Sequence, residues 1–75
     1  MNPDVELDVR GLVCPLPILR TKKQLVSMKS GEILKIMATD PGAEIDFQVF
    51  AEQTGHHLLN FTKASGESVF YLRKR

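Results

Sequence analysis

Residues 5–17 read Val5-Glu6-Leu7-Asp8-Val9-Arg10-Gly11-Leu12-Val13-Cys14-Pro15-Leu16-Pro17, and the hydrophobic period changes in the middle of them. Val5, Leu7 and Val9 alternate with Glu6, Asp8 and Arg10, the period-two pattern of a half-buried strand. Gly11 breaks that pattern. Pro15 lacks an amide proton and suits the first turn of a helix, where the amide would be unpartnered anyway. Pro17 fits the same turn for the same reason. Ile18, Thr21, Leu25 and Met28 then recur at helical spacing, with Arg20, Lys23 and Gln24 opposite them. Lys22 lies at the apolar edge and must extend its stem outward. The reading is a strand over residues 5–10, a tight junction, and a helix over residues 18–29 that Ser30-Gly31 ends.

The rest of the chain repeats the alternation of elements. Glu32–Thr39 (EILKIMAT) is apolar on both sides, which predicts a strand central in its sheet. Asp40-Pro41-Gly42 is a turn and a helix start. A second helix is expected from Ala43 or Asp46 to Thr54, carrying Ile45, Phe47, Val49, Phe50 and Ala51, and closed by Gly55. Leu58–Lys63 and Ser68–Arg73 read as strands joined by Ala64-Ser65-Gly66-Glu67, a hairpin. The basic end, Arg73-Lys74-Arg75, is expected to fray. The order is β-α-β-α-β-β. Right-handed crossovers put both helices on one face of a four-stranded mixed sheet, giving an α+β fold, a two-layer α/β sandwich.

Composition narrows the function classes. Seventy-five residues make one domain, residues 1–75, near the lower limit for a stable core. A formal net charge of +1 gives no field for holding duplex DNA, and no stable nucleic-acid binding is expected. The apolar runs are too short to cross a bilayer, and the early acidic residues are unlike a signal peptide. A single cysteine rules out an internal disulfide or a zinc site built on a cysteine pair. A free thiol suits the reducing cytoplasm, where the chain is expected to act as a monomer.

Cys14-Pro15-Leu16-Pro17 carries the chemistry. A thiol becomes a nucleophile or a persulfide carrier when its anionic form is favoured, and a helix N-terminus and nearby cations favour it. Arg10, Arg20, Lys22 and Lys23 are close enough in sequence to contribute. The residues alone leave a second reading open: Cys14 as a small buried hydrophobe among Leu and Val. His56 and His57 are expected to mark a helix end and a strand start, with no metal site, because strand neighbours point to opposite faces. His56 is expected to interact favourably with the dipole of the second helix. Asp40 is expected to cap that helix and Asp8 to lie on the polar face of the first strand. Asp40 should still approach Cys14, since sites gather at the carboxyl edge of parallel strands. Arg20, Lys22 and Lys23 are expected to form a solvated basic face that can also orient docking on an acidic partner.

Asp8-Val9-Arg10-Gly11-Leu12-Val13-Cys14-Pro15-Leu16-Pro17 resembles the Asp-x-x-Gly-x-x-Cys-Pro-x-Pro signature of the TusA/SirA (YedF/YeeD) sulfur-carrier family. Gly31-Glu32, Asp40-Pro41 with Asp46, and Gly55-His56 resemble further family segments, so the likeness spans nearly the whole chain. The resemblance implies that Cys14 is a sulfurtransferase-type carrier, holding sulfur as a covalent persulfide with no other cofactor. Asp8, Gly11, Pro15, Pro17 and Asp40 would shape its site. It implies a cysteine desulfurase as donor and a DsrE/TusBCD-like protein as acceptor, in tRNA thiolation or another route such as molybdenum-cofactor function. The chain departs from TusA in helix two, where Phe50-Ala51 stands in place of Phe-Cys. A one-cysteine carrier needs no resolving thiol, because the next acceptor thiol attacks the outer sulfur.

Two other function classes compete. One is a non-catalytic RNA- or protein-binding module, suggested by a similar domain shape in a translation initiation factor. The other is a thiol redox regulator sensing oxidants through Cys14.

Overall fold

The computed structural model describes residues 2–75. The chain forms β1 (Val5–Val9), α1 (Leu16–Val26), β2 (Ile33–Ala38), α2 (Ala43–Thr54), β3 (His57–Ala64) and β4 (Glu67–Arg73). This is the expected β-α-β-α-β-β order, and the four strands form one mixed sheet in the order β1-β2-β4-β3. β1 runs parallel to β2, pairing Val5 with Leu34 and Val9 with Ala38. β4 runs antiparallel to both β2 and β3. The β3–β4 turn is Ser65-Gly66 with φ values of 53° and 79°. Positive φ at both positions is the type I′ pattern, which matches the twist of a two-residue hairpin.

The helices pack on each other and on one face of the sheet. Leu34, Ile36 and Ala38 of β2 point into that layer, while Ile33, Lys35 and Met37 sit half-buried on the other face. β2 is central, as its two-sided apolar character predicts. Phe47 and Phe70, both fully buried, stack at 4.6 Å, and Phe61 stacks on Phe70 at 5.0 Å from the edge strand β3. Phe50 meets Phe47 edge-on at 6.5 Å. Ile45 and Val49 of α2, by contrast, are exposed.

α1 starts and stops earlier than its periodicity suggests. Pro15 occupies the N-cap, so Leu16 opens the helix and Pro17 sits in its first turn. Ser27 ends it, with both its amide and its hydroxyl donating to the Gln24 carbonyl, at 3.2 and 2.9 Å. Thr21 is buried in the apolar layer because its hydroxyl donates to the Pro17 carbonyl at 2.8 Å.

Two expectations are corrected. The C-terminal end is pinned: the Lys74 amide donates to Glu32 O at 2.9 Å, and Lys74 O accepts from the Gly31 amide at 2.8 Å. Lys74 Nζ reaches Met28 O, and the Arg75 amide donates to His56 Nδ1 at 3.0 Å. Asp40 does not cap α2 with its side chain: Gly42 is the N-cap, and Asp40 contributes its carbonyl, which accepts from the Ala43 amide at 3.0 Å. No helix among the described residues is long and apolar enough to cross a membrane.

Candidate functional site

Cys14 immediately precedes the N-cap of α1, joined to Pro15 by a cis peptide bond. It is exposed, which removes the buried-hydrophobe reading. Pro15 and Pro17 set this junction because the first helical turn tolerates residues without amide protons. Leu16 N closes the turn onto Val13 O at 2.9 Å, and Leu19 N donates to Pro15 O at 3.1 Å. The thiol lies in a groove of about 300 Å³ between the helices, walled by Ile18 and Lys22 from α1 and by Asp46, Val49 and Phe50 from α2. A second hollow of about 260 Å³ shares Lys22, Phe50 and Thr54 and reaches His56 and Lys74. Exposed Val13 and Leu16 flank Cys14 along the chain.

The electrostatics of the site reverse the expectation. The Cys14 thiol is pushed above its ordinary value. Desolvation by the groove wall leads. Asp46 follows, by its charge and as an acceptor for the S–H, and the charge of Asp40 adds to both. Arg10, one of the cations expected to favour the thiolate, acts elsewhere. Arg10 grips Asp8 with Nε to Oδ1 and Nη2 to Oδ2, both at 2.9 Å, and its Nη1 lies 3.5 Å from Glu67. Asp8 is thereby held down at about 2, and Arg10 is pushed up. Asp8 fixes Arg10 at the end of β1, and neither residue lines the Cys14 groove.

Gly11 has φ 82°, a left-handed conformation that suits glycine, and its amide donates to Thr39 Oγ1 at 2.9 Å. That bond ties the loop after β1 to the loop after β2. Asp40, next to Thr39, bears on the Cys14 thiol through its charge. Its Oδ2 is buried with no hydrogen-bond partner among the described residues. A Cβ built on Gly42 would stand 3.6 Å from Oδ2 of Asp40 and 3.8 Å from Oδ2 of Asp46, so both carboxylates converge on this turn.

The basic trio is split. Lys22 lines the Cys14 groove, while Arg20 and Lys23 lie on the other flank of α1 with Leu7 and Gln24. His56 also departs from expectation. Its Nδ1 accepts the Arg75 amide, its ring lies 5.9 Å from that of Phe50, and its pKa is lowered. Burial leads, with the charges of Arg75, Lys74 and His57 behind it, so neutrality prevails over attraction to the α2 dipole. Among the described residues, no cluster of three His, Cys, Asp or Glu side chains is arranged to hold a metal ion. The site residue that the sequence reading left unassigned is Asp46. The available signal is the stripe Asp46, Val49, Phe50 and Gln53, one face of a helix by spacing.

A family model described as sulfurtransferase TusA matches residues 5–74. The sulfur carrier protein TusA of Allochromatium vinosum is 51% identical over 71 residues, covering 95% of this chain and 93% of that protein. The TusA sulfur carrier of Pseudomonas putida is 34% identical over 74 residues, covering 99% and 92%. The crystal structure of a SirA-like protein from Desulfitobacterium hafniense superposes with a TM-score of 0.80 at 24% identity, covering 92% of this chain and 95% of that one, which supports the fold. On the match along residues 5–74 and the likeness to curated carriers over nearly its whole length, this chain belongs to the TusA family.

Proposed function

We propose that this chain carries sulfur as a persulfide on Cys14, accepting it from a cysteine desulfurase and relaying it to an acceptor thiol on a DsrE/TusBCD-like or other protein. The observation that carries this reading is an exposed, solitary thiol at a rigid strand-to-helix junction, set in a groove open to a partner. Two prolines and the Gly11–Thr39 bond hold the sulfur in place. Exposed Val13 and Leu16, with Val49 in the groove wall, offer apolar contact to a docking protein. In each half-reaction a thiol sulfur attacks the outer sulfur of a persulfide, and the inner sulfur leaves as a thiol. No oxidant is consumed. The end use, whether tRNA thiolation or another route such as molybdenum-cofactor function, is decided by the acceptor.

Incubation with a cysteine desulfurase and cysteine, followed by intact-mass spectrometry, tests the reading. The expected result is a gain of one sulfur atom on the wild-type chain and none on Cys14→Ala. Absence of the adduct with several desulfurases overturns it.

A further inference from the structure

We infer that Asp46 is the proton acceptor for Cys14, taking the Sγ proton as the sulfur attacks a donor persulfide and handing it to the departing donor thiol. This rests on the persulfide-carrier reading above and adds a residue to it.

The geometry is that of a thiol and a carboxylate residue lining one groove. Asp46 and Cys14 line the same hollow of about 300 Å³, reached from the facing N-terminal turns of α2 and α1. Asp46 is held by its own helix, with its amide donating to the Gly42 carbonyl at 3.1 Å. Asp46 as a residue is half-buried, and among the described residues it forms no ion pair. Lys22 is the other titratable side chain in the groove wall, and Asp40 acts on the thiol from the β2–α2 connection. A helix-dipole role alone would account for an acidic residue in the first turn, and Glu44 already supplies one there. It would not account for a carboxylate residue that lines the same groove as the sulfur.

The need for a base follows from the same groove. A thiol held protonated is a weak nucleophile, so attack requires proton removal in the same step. The step balances without an oxidant. The Sγ–H bond breaks and its proton passes to an Asp46 oxygen. A bond forms from Sγ to the outer sulfur of the donor, and the donor S–S bond breaks with its electron pair on the inner sulfur. That sulfur leaves as a thiolate and takes the proton from Asp46. Cys14 is left as a persulfide, and the transferred sulfur keeps its oxidation state. Release to an acceptor thiol runs the same sequence with the roles exchanged.

The test uses the full chain and cysteine persulfide as a small donor, so that docking does not enter. Asp46→Asn, Asp46→Glu and wild type are compared in two rates: sulfur uptake by mass spectrometry, and alkylation by iodoacetamide, which reports the thiolate fraction. The two rates should move in opposite directions in Asp46→Asn at neutral pH. Alkylation quickens because a charge that opposed the thiolate is gone, while uptake slows by at least about tenfold because the base is gone. The uptake rates should converge above the thiol pKa, and Asp46→Glu should keep most of the wild-type rate. Uptake by Asp46→Asn that matches or exceeds wild type overturns the inference, leaving Asp46 as a group that only restrains the thiol. Should that variant fail to fold, a wild-type uptake rate that simply tracks the alkylation rate across pH overturns it equally. A wild-type chain that gains no sulfur from either donor defeats the carrier reading itself, and the inference with it.

Discussion

The Gly11 amide donates to Thr39 Oγ1 at 2.9 Å across 28 positions of sequence, joining the two loops that carry Cys14 and Asp40. Removing the hydroxyl in Thr39→Val should cost about 1 kcal/mol of stability, the usual net worth of such a bond. Gly11→Ala should cost about 1–2 kcal/mol for a different reason: its φ of 82° strains any residue bearing a Cβ, although nothing crowds the site. Urea unfolding of each variant measures both. Sulfur uptake should fall in Thr39→Val more than its small loss of stability explains, because the loops that present the thiol lose their tie.

Phe47 is fully buried, stacked on Phe70 and edge-on to Phe50. Phe47→Ala should cost about 3–5 kcal/mol. In a chain this small that is most of a stability near the lower end of about 5–15 kcal/mol. Loss of cooperative thermal unfolding is the expected result by circular dichroism. A variant that still melts sharply near the wild-type temperature would show that the aromatic cluster is not the centre of the core.

The Asp8–Arg10 pair sets a pH signature at the acid end. Asp8 titrates at about 2, below the ordinary carboxylate value, because the Arg10 guanidinium and amide donate to it. Its folded value is depressed, so its contribution to stability is present above the unfolded value of about 3.9 and is lost as pH falls through about 2. Both groups are exposed, so the contribution is small. Arg10→Ala should return the Asp8 carboxyl to the ordinary range, which a side-chain carbonyl NMR titration reads directly.

His56 sets the opposite limit of that acid range. Its Nδ1 accepts the Arg75 amide, so the ring must stay neutral there, and its pKa is lowered from 6.5. Protonation then favours the unfolded chain. Stability should rise with pH between the folded value of His56 and the unfolded value of about 6.5, and level off above it. Melting temperatures from pH 5 to 8 should show this rise in wild type and a flatter profile in His56→Gln. An unchanged profile in the variant would assign the dependence elsewhere.

Much of this molecule was legible residue by residue. Val5, Leu7 and Val9 announce β1, the apolar run from Ile33 to Ala38 announces a central strand, and Ser65-Gly66 announces the hairpin. These are local signals of period and turn chemistry, and the structure follows them closely. What escaped was set by distant partners. Lys74 and Arg75 look like a loose basic tail until Gly31, Glu32 and His56 are brought beside them. Arg10 looks like a cation for the thiol until Asp8 and Glu67 claim it. Asp46 looks like a surface residue of an amphipathic helix until α1 and α2 meet and its stripe faces Cys14. Charge placement depends on packing in a way that hydrophobic period does not, so the fold was easier to read than the electrostatics of the site.

Asp40 offers the sharpest separation of stability from chemistry. Its Oδ2 is buried without a hydrogen-bond partner among the described residues, and its charge bears on the Cys14 thiol. A buried polar atom left unpaired destabilises a fold by about 1–3 kcal/mol, so removing this oxygen should not cost stability. Asp40→Ser removes the oxygen and keeps a small polar side chain at the start of the turn. Urea unfolding should then show equal or greater stability, and iodoacetamide should alkylate Cys14 faster at neutral pH because one opposing charge is gone. Both effects share one direction, unlike those of Asp46→Asn, where a faster alkylation accompanies a slower uptake. A large loss of stability in Asp40→Ser would mean that its carboxylate holds the β2–α2 turn together, and that its effect on the thiol is incidental.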